Sequence, residues 1–309
     1  MNNINITKQK FLDKHERLVE LLVSCWDQLP NNEAFHNASP TRFRRSESKN
    51  GNKYLSLNCA FQDFEWEKQK FVDTSLSLVT LGDEIKQNIK VKSKGDLLFN
   101  LCKVLEWGGV LTTSIMRPIL EKYERHQLVE YFEWVSVKQP FDESKHDLGL
   151  FADVPESVGK LLSNSGLTKI YCAIGSSGVI YDDRVAASLG RIITWYLGTN
   201  SMPSELVFVV GGGSRDPSTK SHRFLKKGGS SSIDHAQSNL KANWLISACV
   251  CELMLTNESF KSIMAAHVSI IEKRNELWLA MRIYEAALFM AGYSLNPHGK
   301  RRTINAALE

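Results

Sequence analysis

Apolar residues recur every three or four positions along most of the chain, which is the spacing of one face of an α-helix. In the segment 11–26, Leu18, Leu21, Leu22 and Cys25 fall on one side of a predicted helix. The same spacing predicts further helices over residues 63–89, 94–107, 113–137, 155–163, 168–174, 183–197, 235–255, 259–271 and 274–291. We therefore predict a mainly α fold.

Few stretches have the pattern of strands. Residues 54–61 alternate apolar and polar side chains, and 206–210 form a brief apolar run, so each could be one short strand. Polar stretches at 27–53, 138–154 and 211–233 predict loops, the first being a long loop or a mobile arm. The stretch 138–154 is the best candidate for a linker. We therefore predict at most a few short strands and two regions, 1–150 and 151–309; the first is helical, carries the basic loop 27–53, and has no assigned role.

Composition allows a packed core and restricts the class of protein. The chain has 309 residues, of which 43% are hydrophobic and 23% charged, as expected for one or two globular domains. The N-terminus lacks the apolar stretch of a signal peptide, and no run approaches the ~20 apolar residues of a membrane-spanning helix. The six cysteines form no C-x-x-C pair and the histidines do not group. We predict a metal-free cytoplasmic protein with free, buried thiols.

Positive charge is concentrated in two of the predicted loops, although the whole chain carries only +4. The 211–233 loop has five basic residues against the single acid Asp216, and these are Arg215, Lys220, Arg223, Lys226 and Lys227. The 27–53 loop contributes Arg42, Arg44 and Arg45. Flexible segments rich in Lys and Arg suit the neutralisation of nucleic-acid phosphates. A solvated basic loop, or one that binds an acidic protein partner, is the alternative.

The stretch 166–190 carries the residues best suited to chemistry. It contains Thr168-Lys169-Ile170, then a turn, then Ile180-Tyr181-Asp182-Asp183-Arg184-Val185 at the predicted start of a helix. Backbone N–H groups and the helix dipole favour a charged carboxylate at such a position. Asp182 could also be an ordinary helix cap, and Lys169 an ordinary solvated lysine.

These two elements resemble the active-site region of the helix-hairpin-helix DNA glycosylases, especially the branch similar to 8-oxoguanine DNA glycosylase. The resemblance covers about 25 residues and extends loosely over 155–255. It implies a helix-hairpin-helix fold with a catalytic region at 151–309. It also implies that Asp182 is the catalytic carboxylate. Lys169 would then attack the sugar C1′ to form a Schiff base, which permits strand cleavage by β-elimination.

The resemblance implies double-stranded DNA with one extruded nucleotide as the partner of a monomeric enzyme. The excised base would be an oxidised purine, in DNA repair, or a hypermodified base of phage DNA, in antiviral defence. Arg184 and Arg191 lie seven residues apart on one predicted helix and could face DNA. An extruded base stacks on aromatic rings, for which the candidates are Tyr171, Trp195 and Trp244, with Trp107 and Phe224 also considered. The alternative functions are a non-catalytic DNA-binding protein of the same fold and a helical protein-interaction module.

Overall fold

Helices dominate the chain, which we describe from a computed structural model over residues 6–30, 33–37, 52–151 and 153–292. Thirteen α-helices lie in these residues: α1 Lys8–Lys14, α2 Glu16–Ser24, α3 Leu57–Gln62, α4 Phe71–Lys90, α5 Lys94–Trp107, α6 Thr113–Glu124, α7 Leu128–Lys138, α8 Leu167–Ile174, α9 Asp183–Leu197, α10 Ser232–Thr256, α11 Glu258–Ala266, α12 Val268–Ile271 and α13 Glu276–Ala291. The prediction of a mainly α fold is confirmed. Arg42, Arg44 and Arg45 lie outside the described residues.

The described strands are short and form two separate pairs. β1, Phe35–Asn37, pairs antiparallel with β2, Asn52–Tyr54. β3, Val209–Val210, pairs in parallel with β4, Leu225–Lys226, which lies inside the predicted 211–233 loop. The expectation of at most a few short strands is confirmed for the described residues.

Two helices match their predicted bounds, α5 at 94–107 and α9 at 183–197. The predicted helix 11–26 is divided at His15 into α1 and α2. The predicted helix 113–137 is divided near His126, whose φ of 57° is left-handed and therefore incompatible with a continuous helix. Local backbone geometry, rather than hydrophobic spacing, sets these breaks.

Three other sequence predictions are wrong. Residues 54–61 are not one strand, because the Ser56 side chain accepts a hydrogen bond from Cys59 N and starts α3 at Leu57. Within 155–163 only the short 3₁₀ helix Glu156–Val158 forms. The helix predicted to begin at residue 63 begins at Phe71 instead.

One cluster of buried apolar side chains extends from Phe11 to Ala291 and includes helices of both predicted regions. In it α13 packs against α3, α9 and α10, while α4 packs against α8. Gly82 permits this last contact, because a Cβ there would overlap the carbonyl of Ala173 in α8. The division at residue 150 stays a prediction, and the close packing of α4 on α8 brings N-terminal elements to the segment that carries Lys169.

None of the helices in the described ranges is long and apolar enough to cross a membrane. The six cysteines are free: Cys25, Cys172 and Cys249 are buried, Cys102 is partly buried, and Cys59 and Cys251 are exposed. The prediction of buried thiols is therefore wrong for the last two.

Candidate active site

A cavity of about 660 Å³ lies where α5, α8, α9, α10 and α13 meet, within the range of about 300–1,000 Å³ typical of small-molecule sites. Four charged residues of its lining, which we call the charged wall, are Lys169, Asp182, Asp183 and Lys227. Four aromatic residues of its lining, which we call the aromatic wall, are Phe64, Trp66, Trp107 and Phe289. The fold therefore brings Lys169 and Asp182 into one cavity beside aromatic rings.

Asp182 is the N-cap of α9, as the sequence suggested. Its Oδ1 accepts hydrogen bonds from Arg184 N at 2.9 Å and Val185 N at 3.1 Å, which fixes the side chain at the helix start. Both bonds end on Oδ1, so Oδ2 is not used by the cap. The N–H groups and the dipole of α9 complement a negative charge at this position. A carboxylate with one oxygen anchored can present the other to a ligand in the cavity.

The segment that leads to Asp182 is held by buried side chains. Val179 N donates to Asn243 Oδ1 at 2.8 Å, and Ile180 N donates to Glu285 Oε2 at 3.0 Å. Glu285 also forms an ion pair with Arg282, and both side chains are almost fully buried. Because each hydrogen bond fixes a backbone position just before the cap, the carboxylate is held by the core rather than by a free loop.

Lys169 is buried, with 5% of its surface exposed, and its Nζ donates to the carbonyl of Ser165 at 3.1 Å. Burial lowers the pKa of this amine, Asp182 opposes the shift, and Arg184 and Lys227 add to it. A lowered pKa increases the fraction of free amine, which is the nucleophilic form. The chain of Lys169 lies against Gly108, where any Cβ would overlap its Cδ and Cε.

The turn before α8 satisfies its own backbone groups. Asn164 Oδ1 accepts from Gly166 N at 2.9 Å and from Leu167 N at 3.0 Å. A Cβ at Gly166 would stand 2.8 Å from Ile115 Cδ1, so the turn packs closely against α6. Ser163, Asn164 and Ser165 of this turn line the cavity. The backbone N–H groups of Gly166 and Leu167 are already bonded to the Asn164 side chain.

The aromatic wall is assembled from distant parts of the chain. Trp66 Nε1 donates to the carbonyl of Trp107 at 2.8 Å. The Trp66 ring meets Phe289 edge to face, with centroids 5.5 Å apart. The Arg184 guanidinium carbon lies 4.2 Å from the Phe289 ring centroid and 5.4 Å from that of Trp66. Arg184, predicted to face DNA, is therefore packed on this wall.

Only part of the predicted basic surface reaches the cavity. Lys227 Nζ lies 3.1 Å from Ser165 Oγ and 3.4 Å from Asp183 Oδ1, and Arg215 also lines the cavity. Four other predicted basic residues, Lys220, Arg223, Lys226 and Arg191, do not line it. Lys220 and Arg223 are exposed on the loop, and Lys226 forms an ion pair with Asp216. Arg191 is partly buried and interacts electrostatically with Glu33.

The three aromatic residues predicted to hold a base do not line this cavity. Tyr171 stacks on Phe141 with centroids 4.0 Å apart and shares a hydrogen bond with Tyr131. Trp195 packs on Phe35, and Trp244 is fully buried, with Nε1 donating to the carbonyl of Lys145. Phe224, also considered, is buried beside Gly190. Of the aromatic candidates considered, Trp107 alone lines the cavity.

A histidine that the sequence did not single out lies at the polar end of the cavity. His235, in the first turns of α10, has its Nδ1 2.9 Å from Ser163 Oγ, and its ring meets Tyr181 edge to face. Burial, with Lys227 acting in the same direction, lowers the pKa of His235 to about 3. The imidazole is therefore neutral at physiological pH.

In the described part of the chain, no three His, Cys, Asp or Glu side chains are grouped so that they could hold a metal ion. Comparisons of the chain with known protein families, with curated proteins and with solved structures find no match.

Proposed function

We propose that this protein is a DNA glycosylase of the helix-hairpin-helix type, which excises a damaged or modified base from an extruded nucleotide. The observation that carries the proposal is that a buried amine, Lys169, and a helix-capping carboxylate, Asp182, line the same cavity as four aromatic rings. The turn at 163–166, α8 and the aspartate-capped α9 also follow one another in the order of the proposed motif.

Asp182 supplies the electrostatic part of the reaction. As the bond from C1′ to the base breaks, positive charge develops on C1′ and the ring oxygen of the sugar. A carboxylate fixed beside C1′ stabilises this charge, and the anchoring of Oδ1 to α9 holds it without reorganisation. The base leaves with the electron pair of the broken bond, and C1′ is bonded either by water, which leaves an abasic site, or by the Lys169 amine. The proton that the nucleophile loses balances the one that the departing base takes up from solvent.

Lys169 supplies the nucleophile for a coupled lyase step. Its Nζ forms a bond to C1′ as the base leaves, and the sugar ring then opens to give an imine to the lysine. Loss of a 2′ proton from the imine breaks the C3′–O3′ bond, which is β-elimination. The burial that lowers the pKa of Lys169 favours the free amine that this step needs.

The remaining features support binding of an extruded nucleotide in duplex DNA. The aromatic wall offers ring faces and edges to a base, and base–aromatic stacking is worth about 1–3 kcal/mol per base. Lys227 and Arg215 place positive charge at the cavity, where it would meet the flanking phosphates. The excised base would be an oxidised purine or a hypermodified base of phage DNA, the second implying antiviral defence.

The experiment is incubation of the protein with duplexes that each carry one modified base, followed by hot alkali, which cleaves DNA at abasic sites. We expect strand cleavage with the wild-type protein and its loss in Asp182→Asn. Tight binding without any abasic product would overturn the proposal and favour a non-catalytic DNA-binding protein. A mass-spectrometric inventory of bases released from damaged DNA and from phage DNA would then identify the target.

The lyase step is tested separately by borohydride, which reduces an imine to a stable amine and so traps protein on DNA. We expect a covalent adduct with the wild-type protein and none with Lys169→Gln. Persistence of the adduct in the variant would assign the Schiff base to another amine and leave the glycosylase step unaffected.

A further inference from the structure

The cavity lining includes one imidazole, that of His235, and its hydrogen-bonding sense is not fixed; hydroxyl and amide side chains such as Ser165 and Asn164 also line the cavity. Lys169, Lys227 and Arg215 can only donate hydrogen bonds, and ionised Asp182 and Asp183 can only accept them. A neutral imidazole has one donor and one acceptor nitrogen, and which is which depends on its proton. His235 is therefore different in kind from the charged groups around it.

The partner of His235 leaves both arrangements open. Ser163 Oγ lies 2.9 Å from Nδ1 and has no other hydrogen-bond partner among the residues described. When the hydroxyl donates to Nδ1, the proton of the ring is on Nε2, which then donates. When Nδ1 donates to the hydroxyl, Nε2 accepts. Rotation of the Ser163 hydroxyl, together with a change of the His235 tautomer, therefore switches Nε2 between hydrogen-bond donor and acceptor.

Nε2 is the atom that His235 can offer to a ligand. The ring lines the cavity, Nδ1 is occupied by Ser163, and Nε2 has no partner in the described part of the chain. The residue is 94% buried, since 6% of its surface is exposed, and the edge-to-face contact with Tyr181 holds the ring beside the segment that ends at Asp182. The ring thus lies beside the residue that precedes Asp182, and both His235 and Asp182 line the cavity.

We propose that His235, oriented by Ser163, is a specificity-determining residue that hydrogen-bonds the polar edge of the extruded base. The ligand class is a neutral nucleobase, whose edge presents carbonyl oxygens and ring nitrogens as acceptors and amino or N–H groups as donors. The inference rests on the proposed function. It adds that the neutral side chain of His235 hydrogen-bonds the base, while the charged side chains of the cavity act on the sugar and the phosphates.

The test compares His235→Phe, which keeps a ring and removes both nitrogens, with His222→Phe as a matched control. His222 is a buried histidine that bonds Asn200 and Thr219 and does not line the cavity. Single-turnover excision is measured on duplexes with 8-oxoguanine or 5-hydroxymethylcytosine. Affinity is measured on a duplex with a tetrahydrofuran residue, which has no base.

We expect His235→Phe to slow excision about tenfold, the effect of one lost hydrogen bond, and to leave the affinity for the base-free duplex unchanged. Ser163→Ala is expected to change the ratio of the two excision rates, and Ser163→Thr, which keeps the hydroxyl, to restore it. A purely structural role would lower the fraction of active protein and the affinity for the base-free duplex together. Wild-type rates in His235→Phe would overturn the inference and leave the proposed function intact.

A second measurement does not depend on excision. ¹⁵N spectra of the His235 ring are recorded during titration with the nucleosides 8-oxo-2′-deoxyguanosine and 5-hydroxymethyl-2′-deoxycytidine. A shift of the Nε2 signal that is absent with the tetrahydrofuran duplex supports the contact, even if the wild-type protein releases no base and the proposed function fails. An unchanged Nε2 signal with both nucleosides would overturn it.

Discussion

The two walls of the cavity are built in different ways. Most of the charged wall, including Lys169 and Asp182, comes from the short stretch 163–185, with Lys227 added from the basic loop. The aromatic wall combines residues near 64–66 and 107 with Phe289, so it depends on tertiary packing. On the proposed function, a local segment carries the reacting groups, while distant elements decide what fits beside them. Changes in the second set could alter the accepted base without altering the chemistry.

The charged wall is expected to give the largest effect. Asp182→Asn keeps the shape of the cap and removes the negative charge, so we expect excision to slow about 10²- to 10³-fold, the usual cost of losing one preorganised electrostatic contact. Asp183→Asn is the matched control, because Asp183 also lines the cavity but pairs with Lys227. The measurement is the single-turnover rate. Equal losses in both variants would contradict the separate role of Asp182.

The position of the Lys169 chain is tested at two adjacent glycines. Gly108→Ala places a methyl group on the chain of Lys169, so we expect the yield of borohydride-trapped adduct to fall by up to about 10²-fold as the amine is displaced. Gly109→Ala, the control, strains a backbone with φ of 63° but meets Trp66 instead of the lysine. If Gly108→Ala and Gly109→Ala reduced adduct formation equally, the cause would be backbone strain rather than displacement of the lysine.

The aromatic wall is expected to affect base binding more than chemistry. Trp66→Ala removes one ring from the cavity, and we expect about tenfold slower excision at limiting protein, with little change in affinity for a base-free duplex. Trp195→Ala removes a partly buried ring that packs on Phe35, outside the cavity. If Trp195→Ala had the larger effect, the assignment of the aromatic wall to the base would be wrong.

The smallest effects are expected at Lys227, the member of the charged wall that comes from the basic loop. Lys227→Ala should weaken duplex binding a few-fold and reduce the salt slope of binding by about one, as for one lost phosphate contact. Because Lys227 also lowers the pKa of Lys169, its removal raises that pKa. Less free amine is then present at a given pH, so the rise of adduct formation with pH moves to higher pH. Lys220→Ala, on the same loop but away from the cavity, should leave this pH profile unchanged.

The sequence predicted the bounds of the helices α5 and α9 because these depend on local signals. The choice of Lys169 and Asp182 came from the family resemblance, and both residues line the cavity. Hydrophobic spacing defines the helices, and an aspartate before an apolar helix is a strong cap signal. The grouping of the lysine and the aspartate in one cavity follows from a short connection between α8 and α9.

The aromatic wall could not be predicted in this way. Trp66 lies at a tight turn in which Glu67 and Lys68 both have positive φ, at 50° and 64°, without the glycine or asparagine that usually signals such a turn. Phe289 belongs to a helix that is apolar nearly all round, so spacing does not reveal which of its faces meets a cavity.

Two of the predicted site residues lie outside the cavity for geometric reasons. Tyr171 is two positions from Lys169 on α8, and side chains at that spacing do not share a face of a helix. Arg191 does share a face with Arg184, but seven residues carry it about 10 Å along α9 and past the cavity. Neither composition nor the local hydrophobic pattern shows which residues of a helix line a cavity.

The position of Phe289 on α13 has a consequence for synthesis. Chains are made and begin to fold from the N-terminus, so Lys169 and Asp182 leave the ribosome well before the final described helix. Until that helix emerges, the nascent chain lacks both Phe289 of the aromatic wall and Glu285, which holds the backbone just before Asp182. On this view the order of translation itself delays activity, and the reacting pair gains a substrate only when the last helix has docked.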